Sequence, residues 1–475
     1  MADLSYYHGV QVLESPDAPS LLRIRNQGAT YFNGTAPDAD AAAFPLNTPT
    51  LVTSLAAASA LGADGTLLTD LTSYFGEGGS VAIVNRVEDN ETPATLQANL
   101  IGDATARTGI YGALKCKSLG LPAPRVIVTA GDTGAWIDDG VVSISISNGG
   151  TGYTTAPTVA IAEVDGGTGA TATATVTNGV VTAVTITAGG SGYTAPTVTF
   201  SGGGGSGAAA TANVGDVANG YISALATVCE QVRARAYVHG PNTTNAEAVR
   251  FRNTVSSGRI LIIDPKGIKN VDNTPVTVPV AAVFAGVRAR VVSSAEGVSG
   301  SVSNKEIRTL DGVARTIAYP LDSNYLNENQ VSTIIYERGQ RRTWGSRLTA
   351  AEPIWQFDSV RATADMINEA LEDIFFQWVD KKFTKGNLKM MIEDGNAALR
   401  VFKLNDDILG GRVWLSDLNT PTVNANGQVY LNVEFEPVVP MEQIKVTTFR
   451  NIAYFQLLLD EVRGAIDNGP LTLAA

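Results

Sequence analysis

Two histidines, His8 and His239, and two cysteines, Cys116 and Cys229, are all the imidazole and thiol this 475-residue chain contains. A nucleophilic triad needs an imidazole held between a nucleophile and a carboxylate, and a typical zinc site needs several His or Cys side chains. Neither histidine has a partner of that kind in sequence. His8 lies near the N-terminus, and His239 closes the apolar run ARAYVHG (234–240), where it reads as an exposed loop residue. The cysteines fall in helical-looking segments, outside any CxxC, and read as buried free thiols. No GxxxxGK[ST] phosphate loop occurs. The GGTG (149–152) and GGSG (189–192) runs precede Tyr-Thr and strand-like residues, so their glycines read as tight-turn residues with positive φ. Asp138-Asp139 and Asp406-Asp407 read as solvated loop carboxylates. A hydrolase or nucleotide-binding reading would need Asp132, Asp264 and His239 to converge in one pocket. The expectation is a chain with no catalysis, no metal and no cofactor.

The formal net charge is −12, and no basic run exceeds the pair Arg341-Arg342, so a nucleic-acid partner is not expected. No stretch of 18 apolar residues is present, which predicts no membrane insertion. The opening MADLSYYHGV lacks the basic and apolar regions of a signal peptide, which predicts synthesis in a reducing cytoplasm. With 44% hydrophobic residues, only 17% charged ones and 48 glycines, the composition fits a chain that covers much of its surface with copies of itself.

The pattern predicts an α/β (α+β) multidomain chain: a mixed-sheet core, an inserted all-β domain and extended terminal arms. Residues 51–61, 66–75 and 94–118 read as helical, the last interrupted near Gly102 and Gly109. VAIVNRV (81–87) and the run from Arg125 read as strands. Residues 133–216 change character. SNGGTGYTTAPTVAI (147–161) matches TAGGSGYTAPTVTF (187–200), and Tyr153 and Tyr193 stand 40 residues apart. Two such strand-and-turn units would pack as a small β-sandwich or β-roll, inserted into one strand–helix unit whose helix resumes over 218–236. A strand at 234–240, a helix at 244–256 and a strand at 259–265 continue the α/β rhythm.

Toward the C-terminus, Ile367, Leu371, Ile374, Phe375, Trp378 and Val379 mark the apolar stripe of a helix over 363–382, and a second helix spans roughly 387–404. Strands are expected at 412–416, 428–436 and 443–449, with Val429, Leu431, Val433 and Phe435 on one side of the middle one. The apolar patch AYFQLLL (453–459) follows. The resulting domain expectation is an N-terminal arm at 1–20, a core at 21–132 and 217–350, and an insert at 133–216. A C-terminal α+β domain at 351–450 and an arm at 451–475 complete it.

Several strings resemble the tail sheath proteins of temperate coliphage-type contractile tails. They are YYHGVQVLE (6–14), PDADAAAFPLNTPTLVT (37–53), ARTGIYGAL (106–114), PRVIV (124–128), VHGPNTT (238–244), YLNE (325–328), TWGSR (343–347), QWVDKKFTK (377–385) and FEPVVPMEQI (435–444). They run in the family's order and cover most of the chain outside the insert. The chain departs from the family at Thr343, where an aromatic residue often precedes the Trp-Gly pair.

The resemblance implies a structural subunit of the virion, polymerised as a helical stack of hexameric rings around a tail tube. The sheath contracts to drive the tube through the host envelope during genome delivery. The implied partners are other copies of itself, the tail tube protein, and the baseplate and tail terminator proteins. It further implies strand exchange between subunits. Gly9, Val10, Gln11, Val12 and Leu13 would form the N-terminal donor, and Ala453, Tyr454, Phe455, Leu457 and Leu458 the C-terminal contact. Val429, Leu431, Val433, Phe435, Ile444 and Val446 would line the acceptor sheet. A tube-facing helix would present Asp365, Glu369, Asp373, Lys381 and Lys382. The insert would face outward. The sheath of a phage-tail-like bacteriocin or injection device fits the same strings. So does a tail adhesin whose β-insert binds host surface glycans.

Overall fold

The computed structural model describes residues 27–131, 133–163 and 166–468. The N-terminal strand expected at Gly9–Leu13 and the carboxylate of Asp132 lie outside these residues. The chain forms two units, Met1–Val439 and Pro440–Ala475.

The first unit begins with β1 (Ala29–Thr35), β2 (Thr50–Val52), α1 (Leu67–Gly76), β3 (Val81–Val87), α2 (Pro93–Ile101) and β4 (Val126–Thr129). Six strands follow: β5 (Trp136–Thr151), β6 (Thr158–Ala162), β7 (Thr168–Thr177), β8 (Val180–Ser191), β9 (Thr197–Ser201) and β10 (Ser206–Ala218). Then come α3 (Gly220–Val232), β11 (Arg235–His239), α4 (Asn245–Asn253), β12 (Ile260–Ile263), β13 (Gly267–Val271) and β14 (Thr274–Val278). Next are α5 (Ala281–Val292), β15 (Gly312–Val313), α6 (Leu321–Glu328), β16 (Val331–Glu337) and β17 (Gln340–Trp344). The unit closes with α7 (Asp358–Phe376), α8 (Lys385–Leu404), β18 (Ile408–Leu415), α9 (Pro421–Ala425) and β19 (Leu431–Pro437).

The main sheet runs β17-β16-β12-β11-β4-β1-β3-β2. Its six middle strands are parallel, and both edge strands pair antiparallel. Parallel strands are buried on both faces, which is why Val, Ile and Tyr run continuously through them. Phe32, Val84, Val128, Tyr237 and Leu261 meet α1 and α5 on one face. Tyr31, Ile83, Ile127, Val238 and Ile262 belong to the core of the other face, with residues of α2, α3, α4 and α6. The chain is thus a mixed α/β protein with a three-layer body.

Residues 51–61 are not the helix expected from their composition. β2 zips onto β3, and a 3-10 turn, Ala57–Leu61, follows, so sheet pairing overrides local propensity. The interruption read near Gly102 and Gly109 is a closed loop neck. A Cβ on Gly102 would lie 2.2 Å from the Thr108 carbonyl oxygen, and both glycines have positive φ.

Among the described residues, no cation stands beside the buried carboxylate of Asp70. Asp70 of α1 is 4% exposed, and burial raises its pKa to about 7 from 3.8. The folded chain therefore favours the neutral acid, so this group withdraws stability as pH rises from about 4 to about 7. We expect Asp70→Asn to raise stability at pH 8 by about 2–4 kcal/mol and to leave it nearly unchanged at pH 4. Chemical denaturation at the two pH values checks this.

The inserted strands form one six-stranded antiparallel sheet, β5-β10-β9-β6-β7-β8. Val159 opposes Phe200 and Ile161 opposes Val198, the pairing that a two-fold axis between the sequence repeats requires. Each repeat tyrosine covers a bare backbone. A Cβ on Gly205 would lie 2.5 Å from the Tyr153 ring, and one on Gly167 would lie 2.3 Å from the Tyr193 ring. The repeated pairing of glycine with tyrosine is therefore a packing requirement.

Candidate functional site

Three arginines head three adjacent parallel strands. Arg125 precedes β4, Arg235 begins β11 and Arg259 precedes β12. The backbone ladder links them: Arg235 N donates to Arg125 O, and Ala236 N donates to Arg259 O. Their side chains meet a row of acids on α7. Arg125 forms a two-pronged pair with Glu369 at 2.5 and 2.6 Å. Arg259 does the same with Asp365 at 2.7 and 3.0 Å. Arg235 Nε donates to Asp358 Oδ1 at 2.7 Å, and Arg288 of α5 stands 3.5 Å from Oδ2. At the outer end, Arg233 reaches Glu372. Asp358, Asp365, Glu369 and Glu372 are spaced by 7, 4 and 3 residues, which puts them on one helical stripe.

This overturns part of the tube-facing expectation. Asp365 is 2% and Glu369 is 5% exposed, and both are spent on arginines of the sheet. Asp373 is half-buried on α7, while Lys381 and Lys382 are exposed beyond its end. The helix expected at 363–382 is Asp358–Phe376. Its opposite, apolar side holds in part: Ile367, Leu371 and Phe375 join Leu399 and Phe402 of α8 and Val413 of β18 in a third core, whereas Trp378 and Val379 lie beyond the helix end and Val379 is 61% exposed.

That core carries a two-stranded sheet, in which β18 and β19 pair antiparallel. Among the described residues these two strands pair only with each other; on β18 the Asn396 side chain takes Val413 N and Val413 O, and no strand pairs with the outer edge of β19. Leu431, Val433 and Phe435 alternate inward against α7 and α8, while Asn432, Glu434 and Glu436 are exposed. Val429 precedes the strand and is 37% exposed. Beside β19 lies an open groove of about 540 Å³ lined by Leu371, Phe375, Phe376, Val379 and Val433, with the Arg233–Glu372 pair in its wall.

Ile444 and Val446 are not part of this sheet. Residues 443–449, expected as a third strand, carry no regular secondary structure, and the two side chains are 75% and 79% exposed. Their β-branched alternation is real, but a strand needs a neighbour to pair with. Within the second unit the trailing patch is an amphipathic helix, α10 (Tyr454–Asn468). Tyr454, Phe455, Leu457 and Leu458 are each more than half exposed, and Ala453 is exposed just before it.

His239 is buried, not exposed, because it ends a central strand flanked by β4 and β12. Burial, with a lesser effect from Lys266, lowers its pKa to about 3. Asp264 accepts Asn242 N with one oxygen and Arg315 with the other. Asp407 is likewise buried, accepting a hydrogen bond from Ser299. Both cysteines are free and buried, and burial pushes their thiols up to about 12. Thr343 is fully buried, and its hydroxyl donates to Val302 O at 2.6 Å. No helix among the described residues is long and apolar enough to cross a membrane, and no described cluster of acids, His or Cys could hold a metal.

Residues 350–450, the segment containing α7, α8, β18 and β19, match the phage tail sheath C-terminal domain. The tail sheath protein of Escherichia phage P2 is 24% identical over 458 residues, spanning 92% of this chain and 94% of that one. The chain belongs to the contractile tail sheath family. A putative prophage major tail sheath protein of Pseudomonas aeruginosa (strain UCBPP-PA14) is 31% identical over 230 residues, 46% of this sheath chain and 58% of the relative. The fold agrees with solved sheath-type structures. A chain of the anti-feeding prophage baseplate in its contracted state superposes with a TM-score of 0.61 at 16% identity, over 94% of this sheath chain and 98% of that one. A chain of an extracellular contractile injection system, the PVC sheath complex in its contracted state, gives 0.59 at 13% identity, over 95% and 100%. This protein is a contractile sheath subunit and a structural component of the tail.

Proposed function

We propose that the subunit polymerises as stacked six-fold rings around a tail tube, tied together by exchanged arms, and contracts to drive the tube through a host envelope. The observation that carries this reading is that, among the described residues, β18 and β19 pair only with each other, in a chain whose sequence carries further strand-forming segments. Residues Gly9–Leu13 and 443–449 alternate apolar and polar positions, as a segment added to a sheet edge must. The second of these segments thus moves from acceptor to donor in our reading. β19, with Leu431, Val433 and Phe435 packed beneath it, is the acceptor. The exposed apolar side chains of α10 supply a further contact to a neighbouring copy.

Contraction needs two packings of the same subunits, with the arms as tethers while the bodies move. An extended sheath assembled in a metastable state releases its free energy downhill, so the subunit needs no fuel site and performs no catalysis. Tube, baseplate and terminator proteins are the expected partners in a virion tail assembled in bacterial cytoplasm. Lys381 and Lys382, exposed beyond α7, remain in the proposed tube-facing set. The insert is read as an outward-facing decoration.

Negative-stain electron microscopy of the purified chain tests the proposal. We expect hollow, striated sleeves, lost when residues 1–14 are trimmed. Persistent monomers, even with a tail tube supplied as template, would overturn it.

A further inference from the structure

The insert joins the body through only two strands, yet its root is held from three sides. β5 and β10 pair down to the root, where Trp136 opposes Ala218. Asn219 caps α3, accepting Ile222 N at 3.1 Å, and the same side chain donates to Ala135 O at 2.6 Å. It thus binds the chain entering the insert to the chain leaving it. The third hold comes from α4 of the body. Arg250 donates to both oxygens of Asp216 at 2.6 and 2.8 Å and to Asp138 at 2.7 Å. Its guanidinium also lies 4.9 Å from the Trp136 ring centre, and Trp136 Nε1 donates to Asp138 at 3.0 Å. Phe251, the next residue on α4, is fully buried in the body, so the guanidinium springs from an anchored backbone.

A single exposed ion pair contributes little to holding two parts together. A planar fork that bridges two carboxylates, one on each root strand, while stacking on an aromatic ring has one geometry that satisfies all its contacts. We propose that Arg250 is the positioning residue that locks the insert in one orientation on the α/β body, so that the insert travels as a rigid arm and not as a tethered flag.

The test places nitroxide labels on Ala156→Cys, in an exposed turn of the insert, and Glu328→Cys, exposed on α6. The native cysteines are buried and need not be replaced. Electron–electron resonance then reads the distance distribution in the full chain, with doubly labelled subunits diluted in an excess of unlabelled ones carrying the same residue at position 250, so that only distances within one subunit are recorded. We expect a single narrow distribution in the parent, at least doubled in width by Arg250→Ala and intermediate in Arg250→Lys, with circular dichroism unchanged. A parent distribution that is already broad, or an unchanged width in Arg250→Ala, would overturn the proposal. Should Arg250→Ala fail to fold, the pair Asp138→Asn and Asp216→Asn reads the same distance, and the same two outcomes decide it.

Discussion

Asp358→Ala should destabilise the subunit by about 3–5 kcal/mol, seen as a lowered midpoint in chemical denaturation. The side chain is fully buried between Arg235 and Arg288, themselves 3% and 2% exposed, so its loss leaves two guanidinium groups short of their counter-charge in a region that water does not reach. The cost comes from the stranded charge more than from the lost attraction. A second experiment separates the two. Glu369→Ala should also destabilise, because Arg125 loses its two-pronged carboxylate partner, whereas Glu369→Leu combined with Arg125→Met should recover part of the loss, since a well-packed apolar pair carries no desolvation penalty. A double variant no more stable than Glu369→Ala would mean that the ion pair itself contributes stability. The same reasoning predicts a small effect, ~0–1 kcal/mol, for Glu372→Ala, whose pair with Arg233 is open to solvent.

The second large effect concerns assembly. Ending the chain at Val439 should abolish sleeve formation while leaving the denaturation midpoint of the first unit unchanged. The removed segment presents Ile444, Val446, Phe449, Phe455, Leu458 and Val462, all about half exposed or more. Each such side chain contributes roughly 1.5–3 kcal/mol when transferred from water into a packed interface, so their combined burial in neighbours is a major source of association free energy. Along α10, Phe455, Leu458, Leu459, Val462 and Ile466 share one stripe, and Leu458→Asp with Val462→Asp should weaken assembly without removing the strand-forming residues before it. Sleeves of normal length from the shortened chain, counted by electron microscopy, would exclude this segment from the contacts between subunits.

Four strands of the main sheet, β3, β4, β11 and β12, were legible because parallel strands advertise themselves as short runs of Val and Ile, as at 126–129 and 260–263, whereas β1, β16 and β17 were not read as strands and β2 lay in a segment read as helical. The inserted repeat was legible because its turns recur with its strands. α5 was not: ten of its twelve residues are buried, so it has no polar face to create a periodic signal. The acidic row of α7 was visible as carboxylates, but sequence spacing alone does not distinguish a solvated row from one aimed at cations. The partners Arg125, Arg235 and Arg259 stand more than 100 residues away in the chain. The available clue was their place, one arginine at the head of each of three otherwise apolar strands, where a lone cation needs a counter-charge. Residues 443–449 misled for a different reason. Side-chain alternation records fitness for a sheet and is silent on which molecule supplies the neighbouring strand.

The hydrogen bond from Asn219 to Ala135 has a practical consequence. It brings the ends of an 83-residue excursion together, so the whole six-stranded sheet is a cassette bounded by two neighbouring backbone positions. A short turn could replace it without moving β4 or α3, and a foreign domain with closely spaced termini could be grafted in its stead. Fixed to each copy in a helical polymer, such cargo would be displayed at the regular spacing of the lattice, which makes this root a natural splice point for surface display.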